Sequence, residues 1–145
     1  MKLNPDCIRD ILFTVEEKTS PSSQFVYKPS EKYTNKFLLD DESEEELQII
    51  HERLQFYTDE EILYHINQCE LSGFFTEVSQ CTGYLYFIED LSPLGHQFLA
   101  DVRSDTNWNK TKSIAKTVGS TSLTAIKDIA STVISEVIKS QFQNP

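Results

Sequence analysis

Two side chains with metal-binding chemistry lie four residues apart in this sequence. His65 and Cys69 have the spacing that places two ligands on one face of a helix, and Cys81 follows in a turn-like segment. A zinc site needs four protein ligands, or three and a water, and the sequence indicates no fourth ligand. His65 lies beside a predicted core stripe, and a cysteine packs as a small hydrophobic residue. We therefore expect no metal and no other cofactor.

The sequence also lacks the motifs that mark common catalytic sites. It contains no GxGxxG, GxxxxGK[ST], GxSxG or HExxH pattern, and its four glycines stand near turns or element ends. No nucleophile, base or pair of acids groups with a characteristic spacing. We therefore predict that the protein is not an enzyme.

Charge is distributed unevenly along the chain. No lysine or arginine occurs between Arg53 and Arg103. The same interval holds eight acidic residues, which are Asp59, Glu60, Glu61, Glu70, Glu77, Glu89, Asp90 and Asp101. Residues 103–145 carry a net charge of +3, so residues 1–102 carry −13 of the total of −10. This break predicts one domain over residues 1–102 and a separate C-terminal amphipathic helical region over residues 103–145.

Composition places the chain among ordinary globular proteins. It has 145 residues, of which 39% are hydrophobic, enough to build a core. The three cysteines form no CxxC pair, and the N-terminus lacks a basic-then-apolar leader, so we expect a cytoplasmic location. The apolar stretch from Leu123 to Ile138 is interrupted by Lys127, Asp128 and Glu136, which predicts no membrane span.

Helix-start signals and hydrophobic spacing predict a mainly helical α+β protein. Asn4, Pro5 and Asp6 open a helix that extends to Lys18. Residues 19–41 have the composition of irregular structure, and their short apolar patches at 25–27 and 37–39 are expected to form one or two short strands or a packed loop. Ser43 and Glu46 have capping-box spacing and predict a second helix, whose inner face is Leu47, Ile50 and Leu54.

A third helix, a hairpin and a fourth helix follow. Thr58 and Glu61 form another capping box, and Gly73 supplies a left-handed stop. Strands are predicted over 75–79 and 84–90 with a turn at 80–83, and a helix begins at Pro93. The side chains predicted to face the core are Ile62, Ile66 and Cys69 in the third helix and Leu94, Phe98 and Val102 in the fourth.

The C-terminal region carries two further apolar stripes. The first stripe is Trp108, Thr111, Ala115 and Val118, and the second, in a helix over 122–142, is Leu123, Ile126, Ala130, Val133, Val137 and Ile138. These stripes can pack on the rest of the protein. They can also form a homodimer or fill a partner's groove, through Trp108, Ile126, Val133 and Val137, or adsorb to a membrane surface.

Four segments carry a resemblance to a known family: residues 57–66, 70–73, 90–99 and 105–112. Together they resemble the small bacterial and phage proteins of the domain of unknown function 2513, related to winged-helix YjcQ-like proteins. The resemblance implies a winged-helix core of three helices and a β-hairpin, with an insertion at about residues 19–56, followed by C-terminal helices. It also implies a frequent home in phages and prophages, and it implies no established activity.

The charge pattern argues against the usual use of a winged helix. Its recognition helix meets DNA with basic or amide side chains, yet residues 58–72 offer only Asn67 and Gln68 among acids. Nucleic acid is therefore not expected as a partner, although a basic tail that compensates for the acids would give the alternative, a DNA-binding transcriptional regulator.

The function predicted from these observations is that of a non-enzymatic phage or prophage protein in the cytoplasm of a bacterial host. It binds the basic surface of a host or defence protein and inhibits or modulates that protein. The residues predicted to bind the partner are Asp59, Glu60, Glu61, Glu77, Tyr84, Tyr86 and Glu89. Tyr84 and Tyr86 have a second interpretation as side chains packed in the sheet.

Overall fold

The computed structural model describes residues 1–29, 51–81 and 85–143. In this part of the chain the fold is mainly helical, with one small antiparallel sheet, so the predicted α+β class is confirmed. The elements in chain order are α1 Pro5–Lys18, β1 Phe25–Tyr27, a 3-10 helix Glu52–Leu54, α2 Asp59–Leu71, β2 Val78–Cys81, β3 Leu85–Ile88, α3 Pro93–Val102, α4 Asp105–Val118 and α5 Leu123–Gln143.

The helices begin where short polar side chains satisfy the first free backbone N–H groups. Asn4 accepts from the N–H of Asp6 at the start of α1. The capping box predicted at α2 is confirmed, because the Thr58 hydroxyl and the Glu61 carboxylate each accept from the other residue's N–H. Helix α2 ends before Gly73, whose φ of 77° is the left-handed conformation predicted for the stop.

The three strands pair antiparallel in the order β1, β3, β2. The apolar patch at 25–27 forms β1, the first of its two predicted alternatives, and Ile88 of β3 lies opposite both Phe25 and Val78. Prediction of the hairpin's strand ends was wrong. Gln80 and Cys81, assigned to the turn, lie in β2 because they pair with β3, while Phe75 forms an isolated bridge outside the strand.

Two predicted elements lie outside the described residues: the strand at 37–39 and the second helix up to Ile50. Leu54, assigned to the inner face of that helix, is buried in the 3-10 helix. The winged-helix arrangement contains this second helix, and so it stays a prediction here. Its other parts, α1, α2 and the hairpin, are present in the predicted order.

The C-terminal helices pack on the body of the protein, as one of the predicted alternatives holds. Helices α4 and α5 contact each other and α3. The buried residues that they share with the core of α1 and the sheet are Trp108, Ala115, Ile126 and Ala130. Trp108, Ile126 and Val133 are each at most 2% exposed. These three residues therefore form core contacts and are not available as a self-association surface, whereas Val137 remains 36% exposed.

Besides Val137, three side chains of the predicted apolar faces are exposed. Leu94 is 36% exposed, because it borders a cleft between α3 and α5 at the first turn of α3. Val118 is 62% exposed at the last residue of α4, just before the chain turns at Gly119. Ile138 is 51% exposed, because the buried face of α5 ends at Val133.

Gly95 allows helix α3 to approach the segment that follows α2. A Cβ atom at Gly95 would lie 2.2 Å from the carbonyl oxygen of Phe74. The same oxygen accepts from the N–H of Ser92 at 2.8 Å, and the Phe74 ring stacks on Phe98 with 5.1 Å between centroids. The contact is therefore fixed on both sides, and the backbone cannot move away without breaking it.

We predict that Gly95→Ala lowers the free energy of unfolding by about 1 to 3 kcal/mol, because the added methyl group overpacks this contact. Urea unfolding followed by circular dichroism measures the change. Gln97→Ala, at an exposed position of the same helix, is the control and should change the stability by less than about 0.5 kcal/mol. Equal stability of Gly95→Ala and the unsubstituted protein would contradict the packing described.

Candidate functional site

The first turn of α2 carries three of the acidic residues predicted to bind a partner. Asp59, Glu60 and Glu61 lie at the positive end of the helix dipole, which stabilises their charge. Asp59 accepts a hydrogen bond from the hydroxyl of Tyr27 in β1, and Glu61 closes the capping box with Thr58. Asp59 and Glu61 thus hold the fold together locally, while their charge still contributes to the field around α2.

The outward side of α2 presents exposed polar residues along its length. Ile62, Ile66 and Cys69 are buried, as predicted, so the helix turns Glu60, Asn67 and Glu70 towards solvent. Glu70 was not among the predicted binding residues. Helical spacing could have identified it, since it lies three residues after Asn67 on the same side.

Two acidic residues are backbone neighbours at the base of the hairpin. Val78 pairs with Ile88, and continuing this register by one residue places Glu77 opposite Glu89. The N–H of Glu89 donates to the carbonyl of Glu77 at 3.0 Å, and both residues are exposed. Like charges directly opposite each other on neighbouring strands destabilise a sheet. We therefore expect the pair to lower stability, and it places two negative charges near each other on the surface.

Of the two tyrosines predicted to bind a partner, the structure describes only Tyr86. Tyr86 pairs with Tyr27 in the sheet, is partly buried and packs against the core, which is the second of its two predicted roles. Tyr84 lies outside the described residues. The acidic face, as we use the term, consists of three exposed glutamates, Glu70 on α2 and Glu77 and Glu89 at the hairpin.

The arginines that flank the cation-free interval meet at the far end of α1. The guanidinium carbons of Arg53 and Arg103 lie 4.5 and 5.5 Å from the ring centroid of Phe13, and that of Arg9 lies 5.0 Å from it. Each guanidinium also pairs with a carboxylate, in the pairs Arg9–Asp105, Arg53–Glu17 and Arg103–Glu16. These cations are thus held against α1 by contacts of their own.

A lysine of the C-terminal region is fixed in the same way near the start of α1. Asp6 accepts hydrogen bonds from Lys112 Nζ at 2.9 Å and from Trp108 Nε1 at 2.8 Å. Lys110 and Lys116 are exposed on α4. The structure therefore ties Lys112 to α1, and not to the acidic face.

His65 and Cys69 are parts of the core. The Nε2 atom of His65 accepts from the N–H of Asn4 at 2.7 Å, so Nδ1 carries the proton and donates to the Glu61 carbonyl at 2.6 Å. Both ring nitrogens are therefore used. Cys69 is fully buried, and burial raises the pKa of its thiol well above the usual value. Within the described residues, no three His, Cys, Asp or Glu side chains group to hold a metal ion.

A small cleft lies between α3 and α5. Its volume is about 110 Å³, and Phe98, Asp101, Lys127 and Ser131 are among its lining residues. Burial raises the pKa of Asp101. The cleft is below the size at which sites enclose an ordinary small-molecule ligand.

A comparison with protein-family models decides the family. The model described as "Hypothetical protein (DUF2513)" matches residues 2–122. The chain belongs to the DUF2513 family. The DUF2513 match extends past residue 102 and includes all of α4, so Trp108 and Lys112 lie within the family region. No match was found among curated proteins or among solved structures.

Membership of DUF2513 assigns no activity, so the function must be argued from the surface of the molecule. None of the helices in the described parts of the chain is both long enough and apolar enough to cross a bilayer.

We predict that the contribution of Asp6 to stability depends on pH. Burial raises the pKa of Asp6, but hydrogen bonds from Lys112 and Trp108 and the charges of Lys112 and Arg9 outweigh it, so the pKa falls below 3.8. As pH falls, the Asp6 carboxylate is therefore protonated in the unfolded chain at a higher pH than in the folded protein. The stabilisation is present above the unfolded pKa and is lost as pH falls through the folded pKa.

Asp6→Asn tests this dependence, since the amide keeps an oxygen for Trp108 but removes the charge near Lys112. The unfolding free energy of Asp6→Asn should lie below that of the unsubstituted protein at about pH 6, and the difference should shrink at about pH 2.5. Asp6→Ala, which also removes the acceptor for Trp108, should be less stable than Asp6→Asn at both pH values. A difference that does not change with pH would contradict the assignment.

We predict that Glu77→Gln stabilises the protein by about 0.2 to 1 kcal/mol, because it removes the repulsion from Glu89. Urea unfolding near neutral pH and low salt measures the gain. Adding Glu89→Gln should give little more, since the repulsion is already gone. Glu70→Gln is the control for loss of one exposed negative charge. A loss of stability in Glu77→Gln would show that the two carboxylates do not repel.

Proposed function

We propose that this DUF2513 protein acts without catalysis, by binding a cationic partner protein through its acidic face. The observation that supports this proposal most directly is the separation of charge. Eight acids and no cation occur between Arg53 and Arg103, and both arginines are paired with glutamates beside Phe13. The acidic face therefore has no cation from its own stretch of sequence to neutralise it.

Electrostatics explains how such a surface selects its partner. Complementary potentials accelerate encounters with cationic surfaces and disfavour anionic ones. The neighbouring Glu77 and Glu89 add a second reason, because we expect their like charges to repel each other in the free protein. A partner's lysine or arginine placed between the two carboxylates would attract both of them. Part of the binding free energy would then come from removing the repulsion between Glu77 and Glu89.

The kind of partner follows from the same chemistry. A protein groove that is lined with lysine and arginine, such as one that holds nucleic acid, matches a rigid acidic helix and hairpin. Occupying that groove would inhibit or redirect its owner. We propose that the owner is a host or defence factor in the cytoplasm of a bacterial cell, as the family's expected phage setting suggests.

One observation favours a second candidate, a DNA-binding regulator. No acidic residue occurs from Thr106 to Lys127, and Asn109, Lys110 and Lys116 are exposed on α4. Such side chains contact phosphates in protein–DNA complexes. A mobility-shift assay on genomic fragments at low salt separates the two candidates: sequence-selective retardation favours the regulator, and its absence favours the acidic face as the working surface.

The homodimer predicted from the C-terminal helices is an association independent of the acidic face. It cannot use Trp108, Ile126 and Val133, which are buried.

We predict that capture of a partner from host lysate depends on the acidic face. The triple variant Glu70→Gln, Glu77→Gln and Glu89→Gln should bind the captured partner about tenfold more weakly, a loss of about 1.4 kcal/mol. The control removes the same charge elsewhere, at the exposed positions Glu52→Gln, Asp128→Asn and Glu136→Gln. It should bind within about threefold of the unsubstituted protein.

Raising the salt concentration should weaken the complex of the unsubstituted protein more than that of the triple variant, because screening acts on the charges that were removed. Equal losses in the two variants would show that net charge alone drives binding. A lysate that yields no partner at any salt concentration would contradict the proposal.

A further inference from the structure

The C-terminal end of α5 extends beyond the helix on which it packs. Helix α4 has 14 residues and α5 has 21, which correspond to lengths of about 21 and about 31 Å. Only residues 119–122 connect them, and such a short connection makes packed helices run antiparallel. The last seven residues of α5 therefore pass the first turn of α4. Burial agrees, since no residue of α5 after Val133 is buried.

Residues 134–143 form what we call the overhang, and one side of it is apolar. Val137, Ile138 and Phe142 are 36%, 51% and 86% exposed, and Ile134 is partly buried. At 100° per residue these four side chains lie on one side of the helix. The same spacing places Glu136 and Lys139, the two charged residues of the overhang, on the opposite side.

We infer that the overhang pairs with the overhang of a second copy of the chain, antiparallel and about a twofold axis. An axis between positions 137 and 138 places Val137 of each copy against Ile138 of the other copy. It also brings Phe142 beside Ile134 of the second copy, which is partly buried where that helix meets its own body. One contact thus covers every apolar side chain that the overhang exposes.

The distribution of charge explains why a second copy fits this surface. Two molecules with a net charge of −10 repel each other over most approaches. The overhang carries one acid and one base and so has no net charge, and the pairing buries neither of them. Two copies can therefore meet end to end here without contact between their acidic faces. A partner selected by charge would meet no charged side chain on the apolar side of the overhang.

The size of the contact sets its strength. About ten residues from each copy bury less than the roughly 1,200 Å² of a stable interface, so the dimer is reversible, with a dissociation constant on the order of 10 to 100 µM. Its residues do not belong to the acidic face. The dimer and the proposed function can therefore fail separately.

Sedimentation velocity of the full chain, from about 5 to about 500 µM, tests the dimer. Reductant is present throughout because Cys81 is exposed. The average mass should rise towards twice that of the monomer. Ile138→Glu should hold the mass at that of the monomer, and Phe142→Ser should weaken association at least about threefold. The matched control is Thr132→Glu, which puts the same charge on the polar side of α5 and should associate as the unsubstituted protein does.

A paired substitution tests the direction and register. Val137→Glu combined with Ile138→Lys places glutamate against lysine in the antiparallel dimer, but glutamate against glutamate in a parallel one. The double variant should therefore dimerise more strongly than either single variant. Dimerisation weaker than that of both single variants would overturn the inference.

Three other results would overturn it. These are a monomer at about 500 µM, a dimer unaffected by Ile138→Glu, and binding of the overhang to phosphatidylcholine vesicles without any self-association. Because the substitutions lie at exposed positions, circular dichroism should show an unchanged helix content in every variant.

Discussion

Two side chains one turn apart on α1 connect the beginning of this protein to its C-terminal half. Asp6 accepts hydrogen bonds from Trp108 and Lys112, and the guanidinium of Arg9 donates to the carbonyls of Val102 and Arg103, where α3 ends. The Arg9 side chain is 13% exposed and lies between the rings of Phe13 and Trp108. Hydrogen bonds to charged groups in such partly desolvated positions are among the stronger ones in proteins. These contacts fix the corner between α3 and α4, and with it the place of the helices that follow.

The same contacts separate the charges of the molecule. Arg53 and Arg103, which border the acidic interval, both lie over the Phe13 ring, and Lys112 pairs with Asp6. These cations therefore make stabilising contacts with α1. The acids of α2 and the hairpin face solvent or cap local structure. Glu77 and Glu89 are backbone neighbours at the hairpin, and we expect their like charges to lower stability. Residues that lower stability without a local benefit are a common mark of a surface used for binding.

Local features of the fold could be predicted from the sequence, and features that depend on distant contacts could not. The caps at Asn4 and Thr58 and the stop at Gly73 depend on neighbouring residues, and all three are present. The opposition of Glu77 and Glu89 depends on strand register, which hydrophobic alternation did not define to the residue. The meeting of the three arginines depends on segments up to 94 residues apart, between Arg9 and Arg103, so no spacing rule could reveal it. Burial of the C-terminal stripes is likewise a tertiary outcome, and it left Val118 and the end of α5 exposed.

The central claim is that negative potential is concentrated on α2 and the hairpin. Relaxation of backbone amide protons by a cationic and by an anionic nitroxide of the same size measures that potential residue by residue. The cationic probe should relax the amides near Glu70, Glu77 and Glu89 more strongly than the anionic probe does. On the outer side of α4, near Lys110 and Lys116, the anionic probe should relax the amides more strongly than the cationic probe does. Equal relaxation by both probes across α2 and the hairpin, or stronger relaxation by the anionic one, would contradict it.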